Sequence, residues 1–120
     1  LPFVYVHPTQ KDHGLENQIE GDLMPRQSVV IVENQVNVGS NCLKVVKALE
    51  DNGCRVLGIV TIFDYGIPAT HKKLIKRGID LTALTDLETI LHHAENMGMI
   101  NNEQSKLLKN WQHKPSTWNK

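Results

Sequence analysis

Val29-Val30-Ile31-Val32-Glu33-Asn34-Gln35-Val36-Asn37-Val38-Gly39-Ser40-Asn41 is the stretch around which this chain is organised. Its four consecutive β-branched apolar residues, Val29 to Val32, read as a strand buried on both faces. The strand is expected over 28–33, ending at Glu33. A short polar loop with one glycine, Gly39, follows, and a helix begins near Asn41 with Leu43, Val46, Leu49 and also Val45 toward the sheet. Strand, glycine loop and helix N-terminus is the place where an open α/β sheet carries its ligand site. The unpaired N–H groups and positive dipole end of such a helix suit an anion such as a phosphate. From spacing alone, a plain strand-to-helix connection without a ligand accounts for the same residues equally well.

The helix is expected to stop at Asn52-Gly53, and Cys54 to Phe63 reads as a second buried strand. Two such strands joined by one helix make a right-handed βαβ unit with parallel strands. Asp64 to Pro68 is a second loop at the carboxyl end of a strand, where a turn role is expected for Asp64-Tyr65. A short helix over 69–77 carries Leu74 and Ile75 inward. Residues 79–84 alternate and read as an edge strand. Thr85 or Asp86 caps a helix over 87–97 that buries Leu87, Ile90, Leu91 and Ala94. A last helix runs from Asn102 to about Trp111 with Leu107, Leu108 and Trp111 on one face, and the tail 113–120 is expected to be extended. At the other end, Pro2 to Val6 is strand-like, Thr9 to Glu16 is a polar surface loop, and 18–21 is a short strand.

The chain has 120 residues, which is the size of one domain, so 1–120 is read as a single unit. Its 40% hydrophobic and 22% charged residues describe a soluble globular protein. Thirteen basic residues balance thirteen acidic ones, which argues against nucleic acid or an anionic membrane as partner. No apolar run approaches the ~18 residues of a membrane helix. Cys42 and Cys54 lack a partner motif and read as reduced, packed thiols of an intracellular, cytoplasmic protein. The first residue is Leu1, directly before a strand-like run and without a signal-peptide pattern. A processed N-terminus or a piece of a longer protein is expected from that.

Three groups of residues could carry chemistry. In the 33–41 loop, Glu33 can accept hydrogen bonds from sugar hydroxyls, while Gly39, Ser40 and Asn41 can wrap a phosphate with backbone N–H groups. In the 7–17 loop, Lys11 and His13 flank Gly14 and can neutralise charge on a leaving pyrophosphate. A solvated surface loop is the plainer account of that segment. His92-His93 point about 100° apart on a helix and do not form a metal pair. His7 and His71 have no partner spacing either, so no metal ligand set is read. Trp111 and Trp118 are expected to be apolar anchors.

Tyr5-Val6-His7-Pro8-Thr9-Gln10-Lys11-Asp12-His13-Gly14, followed by Glu16-Asn17-Gln18-Ile19-Glu20-Gly21, resembles the catalytic loop of bacterial orotate phosphoribosyltransferases. Val29 to Asn41 is similar to that family's phosphoribosyl-pyrophosphate motif. Ile62-Phe63-Asp64-Tyr65-Gly66-Ile67-Pro68, Leu84-Thr85-Asp86 and Leu107-Leu108-Lys109-Asn110-Trp111 with Pro115 and Trp118 extend the likeness along the chain. The resemblance implies an α/β, type I phosphoribosyltransferase-like (Rossmann-like) parallel sheet flanked by helices, truncated at the N-terminus. It also implies transfer of ribose 5-phosphate from phosphoribosyl pyrophosphate to orotate, giving orotidine monophosphate in pyrimidine (UMP) biosynthesis. Magnesium as cofactor and a homodimer, or pairing with a related chain, are implied too. By the same resemblance Lys11, His13, Glu33 and Asn34 stand at catalytic positions. His7, Asn37, Val38, Gly39, Ser40 and Asn41 stand at substrate-binding ones.

The departures from the family pattern concentrate in the ligand loops. His7 and Pro8 replace an arginine and a lysine. Asn34 replaces the second acid; an amide can bond a hydroxyl but cannot act as a carboxylate base. Val38 has lost the hydroxyl of a threonine, Ser40 replaces a second glycine and Asn41 a serine. The apolar strand and helix patterns are intact beside them. Two readings result: an orotate phosphoribosyltransferase whose catalysis is weak or absent in this chain alone, and a non-catalytic module of the same fold that binds a nucleotide, a phosphate or a partner subunit.

Overall fold

The computed structural model describes residues 1–8 and 18–118. Two short strands, β1 (Tyr5–Val6) and β2 (Ile19–Glu20), pair antiparallel. The organising stretch forms β3 (Ser28–Val36), and α1 (Ser40–Asp51) leads from it to β4 (Arg55–Asp64). Then come α2 (Pro68–Lys76), β5 (Asp80–Asp86), α3 (Leu87–Asn96) and α4 (Asn102–His113). β3, β4 and β5 make a parallel three-stranded sheet in that order, as the βαβ reading requires, with β5 at an edge.

β3 outruns the expected strand by three residues. Gln35 and Val36 pair with Phe63 and Asp64, because the ten-residue β4 offers ladder partners that far. Glu33 therefore lies inside the ladder opposite Thr61, and the connection to α1 shrinks to Asn37–Gly39. The register shifts between Val29 and Val30, which pair with Val56 and Gly58 and leave Leu57 as an extra residue on β4. Gly58 also lets β5 come close, since a Cβ there would sit 3.0 Å from the carbonyl oxygen of Asp80.

The core occupies one face of the sheet. Ile31, Val36, Val56 and Ile59 pack with Cys42, Val45, Val46 and Leu49 of α1 and Leu74 of α2, and Val6 and Ile19 of the hairpin close over the same cluster. Burial on both faces, expected for β3, does not hold. Val30 and Val32 of β3, Val60 and Ile62 of β4 and Leu84 of β5 are exposed, because among the described residues helices cover only the opposite side. α1 lies on β3 and β4, α2 and α3 on β5, and α4 on α3.

Several side-chain expectations also change. Ile75 is exposed beside buried Leu74, one residue turning it about 100° away from the sheet. In α3 only Leu91 is fully buried, with Leu87 and Ala94 half-buried and Ile90 exposed. In α4 Ser105 is buried and Trp111 half-buried, while Leu107 and Leu108 are exposed. The tail closes a 3₁₀ turn at Pro115–Thr117 instead of staying extended. Cys42 and Cys54 are buried free thiols, as expected.

Candidate functional site

The carboxyl end of β3 and the N-terminus of α1 enclose a small cleft of about 110 Å³ lined by Glu33, Asn34, Gln35, Val36, Asn37, Gly39, Asn41 and Cys42. Gly39 makes it possible. It is the N-cap of α1 at φ 74°, a left-handed conformation that a Cβ disfavours, and a Cβ would lie 2.6 Å from Cγ2 of Thr70. No side chain caps this helix end and no acidic residue occupies its first turn. Its early N–H groups are thus left for an outside acceptor.

Glu33 is the carboxylate of the cleft. It is half-buried, and burial pushes its pKa up from the ordinary carboxylate value. Its charge also acts on the neighbouring thiol: burial first, then the Glu33 charge, push the Cys42 thiol up, and its Sγ donates to the carbonyl of Gly39 at 3.3 Å. Cys42 is therefore a packed thiol and no nucleophile. Asn34, Asn37 and Asn41 also line the cleft; Asn34 follows Glu33 in β3, so its side chain stands on the opposite face of the strand, with Val32. Carboxamides such as those of Asn37 and Asn41 can donate to and accept from hydroxyls and phosphate oxygens without bringing charge.

The structure brings Glu33, Asn34, Asn37, Gly39 and Asn41 together around the cleft. Val38 and Ser40 are exposed in the same turn and do not line it. His7 is not there either: its Nε2 bonds Oε1 of Glu20 at 2.8 Å across the β1–β2 pair. Lys11 and His13 lie outside the described residues. No group of three His, Cys, Asp or Glu side chains converges on a metal position among the described residues. His92 bonds Asn96 on the surface of α3, and Trp111 stacks edge-on against Tyr65, in line with their expected surface and anchoring roles.

The sequence reading missed the residues that brace this cleft. The amide of Tyr65 donates to the carbonyl of Val36 at 2.9 Å, and the Thr70 hydroxyl donates to the carbonyl of Asn37 at 2.8 Å. Asp64 takes the expected turn role, accepting from Gly66 N–H at 2.8 Å, and its other oxygen holds His71 Nε2 at 2.7 Å. From the far end of the chain, Gln112 of α4 donates to the carbonyl of Tyr65 at 2.8 Å. Tyr65, Thr70 and Gln112 each bond a residue about thirty or more positions away, beyond any local pattern; Cys42, one helical turn from Gly39, is the one missed residue that spacing could have found.

No family model matches the chain. It is 43% identical over 118 residues to the orotate phosphoribosyltransferase of Phocaeicola vulgatus, an alignment covering 98% of this chain and 56% of that one. Among solved structures, the orotate phosphoribosyltransferase of Aeropyrum pernix superposes with a TM-score of 0.62 at 29% identity, covering 81% of this chain and 50% of that one. The orotate phosphoribosyltransferase of Mycobacterium tuberculosis in complex with 5-phospho-α-D-ribosyl 1-diphosphate does so with a TM-score of 0.53 at 27% identity, over 58% of this chain and 43% of that one. The chain is thus similar along its whole length to orotate phosphoribosyltransferases, as a type I phosphoribosyltransferase-like α/β protein that spans about half the length of the curated relatives it matches.

Proposed function

We propose that the cleft between β3 and α1 binds the ribose 5-phosphate end of phosphoribosyl pyrophosphate or of orotidine monophosphate, and that this chain alone transfers it to orotate weakly or not at all. The carrying observation is the juxtaposition of Glu33 with the uncapped start of α1 at Gly39. Phosphate oxygens would meet the first-turn N–H groups. Ribose hydroxyls would meet Glu33 and the amide of Asn37. The relative from Mycobacterium tuberculosis was solved with the diphosphate bound, which supports this ligand class.

Weak transfer follows from the charges of the cleft. Departure of pyrophosphate leaves positive charge on the ribose, which carboxylates stabilise. Here a single half-buried carboxylate with a raised pKa faces that position, and Asn34 is neutral. Magnesium, implied by the family, would have Glu33 as its carboxylate in this cleft; one or two carboxylates completed by water and substrate phosphates are its usual set, so the residues fit a metal carried in by the diphosphate better than a resident one. Lys11 and His13 are the cations proposed to meet the pyrophosphate. For association, we propose a second copy of this chain on the bare apolar sheet face.

Calorimetry with phosphoribosyl pyrophosphate and with orotidine monophosphate tests the binding, and loss of orotate absorbance with diphosphate and magnesium tests the transfer. Heat with either ligand and negligible turnover are expected. Turnover that Lys11→Ala abolishes would overturn the weak-transfer part. No heat with either ligand would remove the site.

A further inference from the structure

We propose that the turn joining α3 to α4 binds copper(I) through His93, Met97 and Met99. The stretch His92-His93-Ala94-Glu95-Asn96-Met97-Gly98-Met99 is not used by the cleft, and it puts one imidazole and two thioethers at one end of one helix. His93 and Met97 are four residues apart, and the Met97 N–H donates to the His93 carbonyl at 3.0 Å. The helical repeat therefore holds to Met97, and the two side chains stand one above the other on the same face. Beyond Met97 the chain turns back. Gly98, at φ 69°, lets its own N–H reach the carbonyl of Glu95 at 3.0 Å and the Met99 N–H reach that of Ala94 at 2.9 Å. With this pair of bonds the residue after the glycine packs back over the last turn, here Ala94 and His93.

The three donors are accessible. Met97 and Met99 are 62% and 71% exposed, and a Cβ on Gly98 would meet nothing within 4 Å, so the space beside the turn is open to an ion. His93 is exposed and its ring bonds no other side chain among the described residues, whereas the ring of His92 is paired with Asn96 at 3.2 Å. Ile90, one turn before His93 and Ala94, adds an apolar neighbour on the same face. Thioether sulfur is a soft donor that suits copper(I). Magnesium and calcium take oxygen ligands, and zinc takes thiolate, imidazole and carboxylate. The pair of methionines therefore selects the ion as well as holding it. Cys42 and Cys54, the other soft donors of the chain, are buried in the core. The ten residues of α3 put about 15 Å of helix between this turn and the carboxyl end of β5, so the site stands apart from the cleft.

The chain has three methionines, so protein carrying carbon-13 in the methionine methyl groups gives three signals. Copper(I), added under ascorbate without oxygen, should shift the Met97 and Met99 signals together, saturate at one ion per chain and leave the equally exposed Met24 in place. Three signals that move in step mean unselective contact with thioethers and overturn the proposal. Three that stay put overturn it as well, including the case in which copper goes to Cys42 or Cys54 instead. Against a competing copper(I) chelator, His93→Ala should weaken retention about tenfold, and Met97→Leu with Met99→Leu, which keeps size and helix propensity, by more than that. Unchanged retention in His93→Ala, or an equal loss in His92→Ala, overturns the donor set. Methyl signals that move with protein concentration and not with copper assign the methionines to an apolar contact and overturn the site. The methyl measurement needs no substitution, so it decides the matter even where a variant fails to fold.

Discussion

Gly39 joins the local and the long-range parts of the site. Its φ of 74° is the turn that starts α1, and its missing side chain is the room that Thr70 fills. Gly39→Ala should therefore cost about 2 kcal/mol of folding stability, from left-handed backbone strain plus the clash with Thr70. Adding Thr70→Ser, which removes the clashing methyl group, should recover part of that loss; urea denaturation of the single and double variants checks it. No recovery would mean that strain in the turn, and not contact with α2, makes glycine necessary. The glycine was legible in sequence as the small residue between strand and helix. Its neighbour was not, because Thr70 lies thirty-one positions further on and nothing in its own surroundings marks it as part of the cleft. Glu33 was legible as an acid beside the turn, although its place three residues inside β3 was not.

At the scale of elements, helix ends were easier to read than helix faces. Asp86 caps α3 through Thr89 N–H at 2.8 Å, one of the two caps expected from sequence. That N–H, then the Thr89 hydroxyl, holds the Asp86 pKa below the ordinary carboxylate value. Asp86→Ala should cost about 1 kcal/mol at neutral pH. The sign with pH follows from the lowered folded-state pKa. The contribution is full above the unfolded value and is lost as pH falls through the folded one. The stability gap between Asp86→Ala and the unsubstituted chain should thus close in acid, whereas Asp86→Asn, which keeps a capping oxygen, should show a small gap at every pH. Thermal unfolding across the acid range measures this; a gap that persists below both pKa values would mean that the cap does not depend on charge. Faces misled where two apolar residues stood side by side. Leu74 and Ile75 are equally hydrophobic, and only the packing of α2 on the core buries one and exposes the other.

For the whole molecule, the decisive feature is the uncovered side of the sheet. Val32, Ile62 and Leu84 are 76%, 58% and 77% exposed on one continuous face. The described surface is 8912 Å², against about 6,600 Å² for a compact monomer of this mass. The radius of gyration of 17.1 Å exceeds the roughly 14 Å of a compact domain of this length. An apolar face of this kind should drive self-association. Sedimentation velocity should show oligomers that grow with concentration, and Val32→Thr with Ile62→Thr should suppress them while changing folding stability by less than about 0.5 kcal/mol per site. A monodisperse monomer at high concentration would contradict the second-copy proposal.

The sequence by itself determined the order and type of the elements, the parallel βαβ core, the glycine turn after β3 and the family to which the whole chain is similar. Those features are written in nearest neighbours: β-branched runs, a glycine after a strand, an aspartate before a helix. Only the tertiary structure decided how far β3 runs, which face of the sheet is covered and what braces the cleft. The length of a strand depends on the ladder its neighbour offers, burial depends on which layer lies above it, and the Thr70–Asn37 bond joins residues that only the packing of α2 against the sheet brings within hydrogen-bond reach.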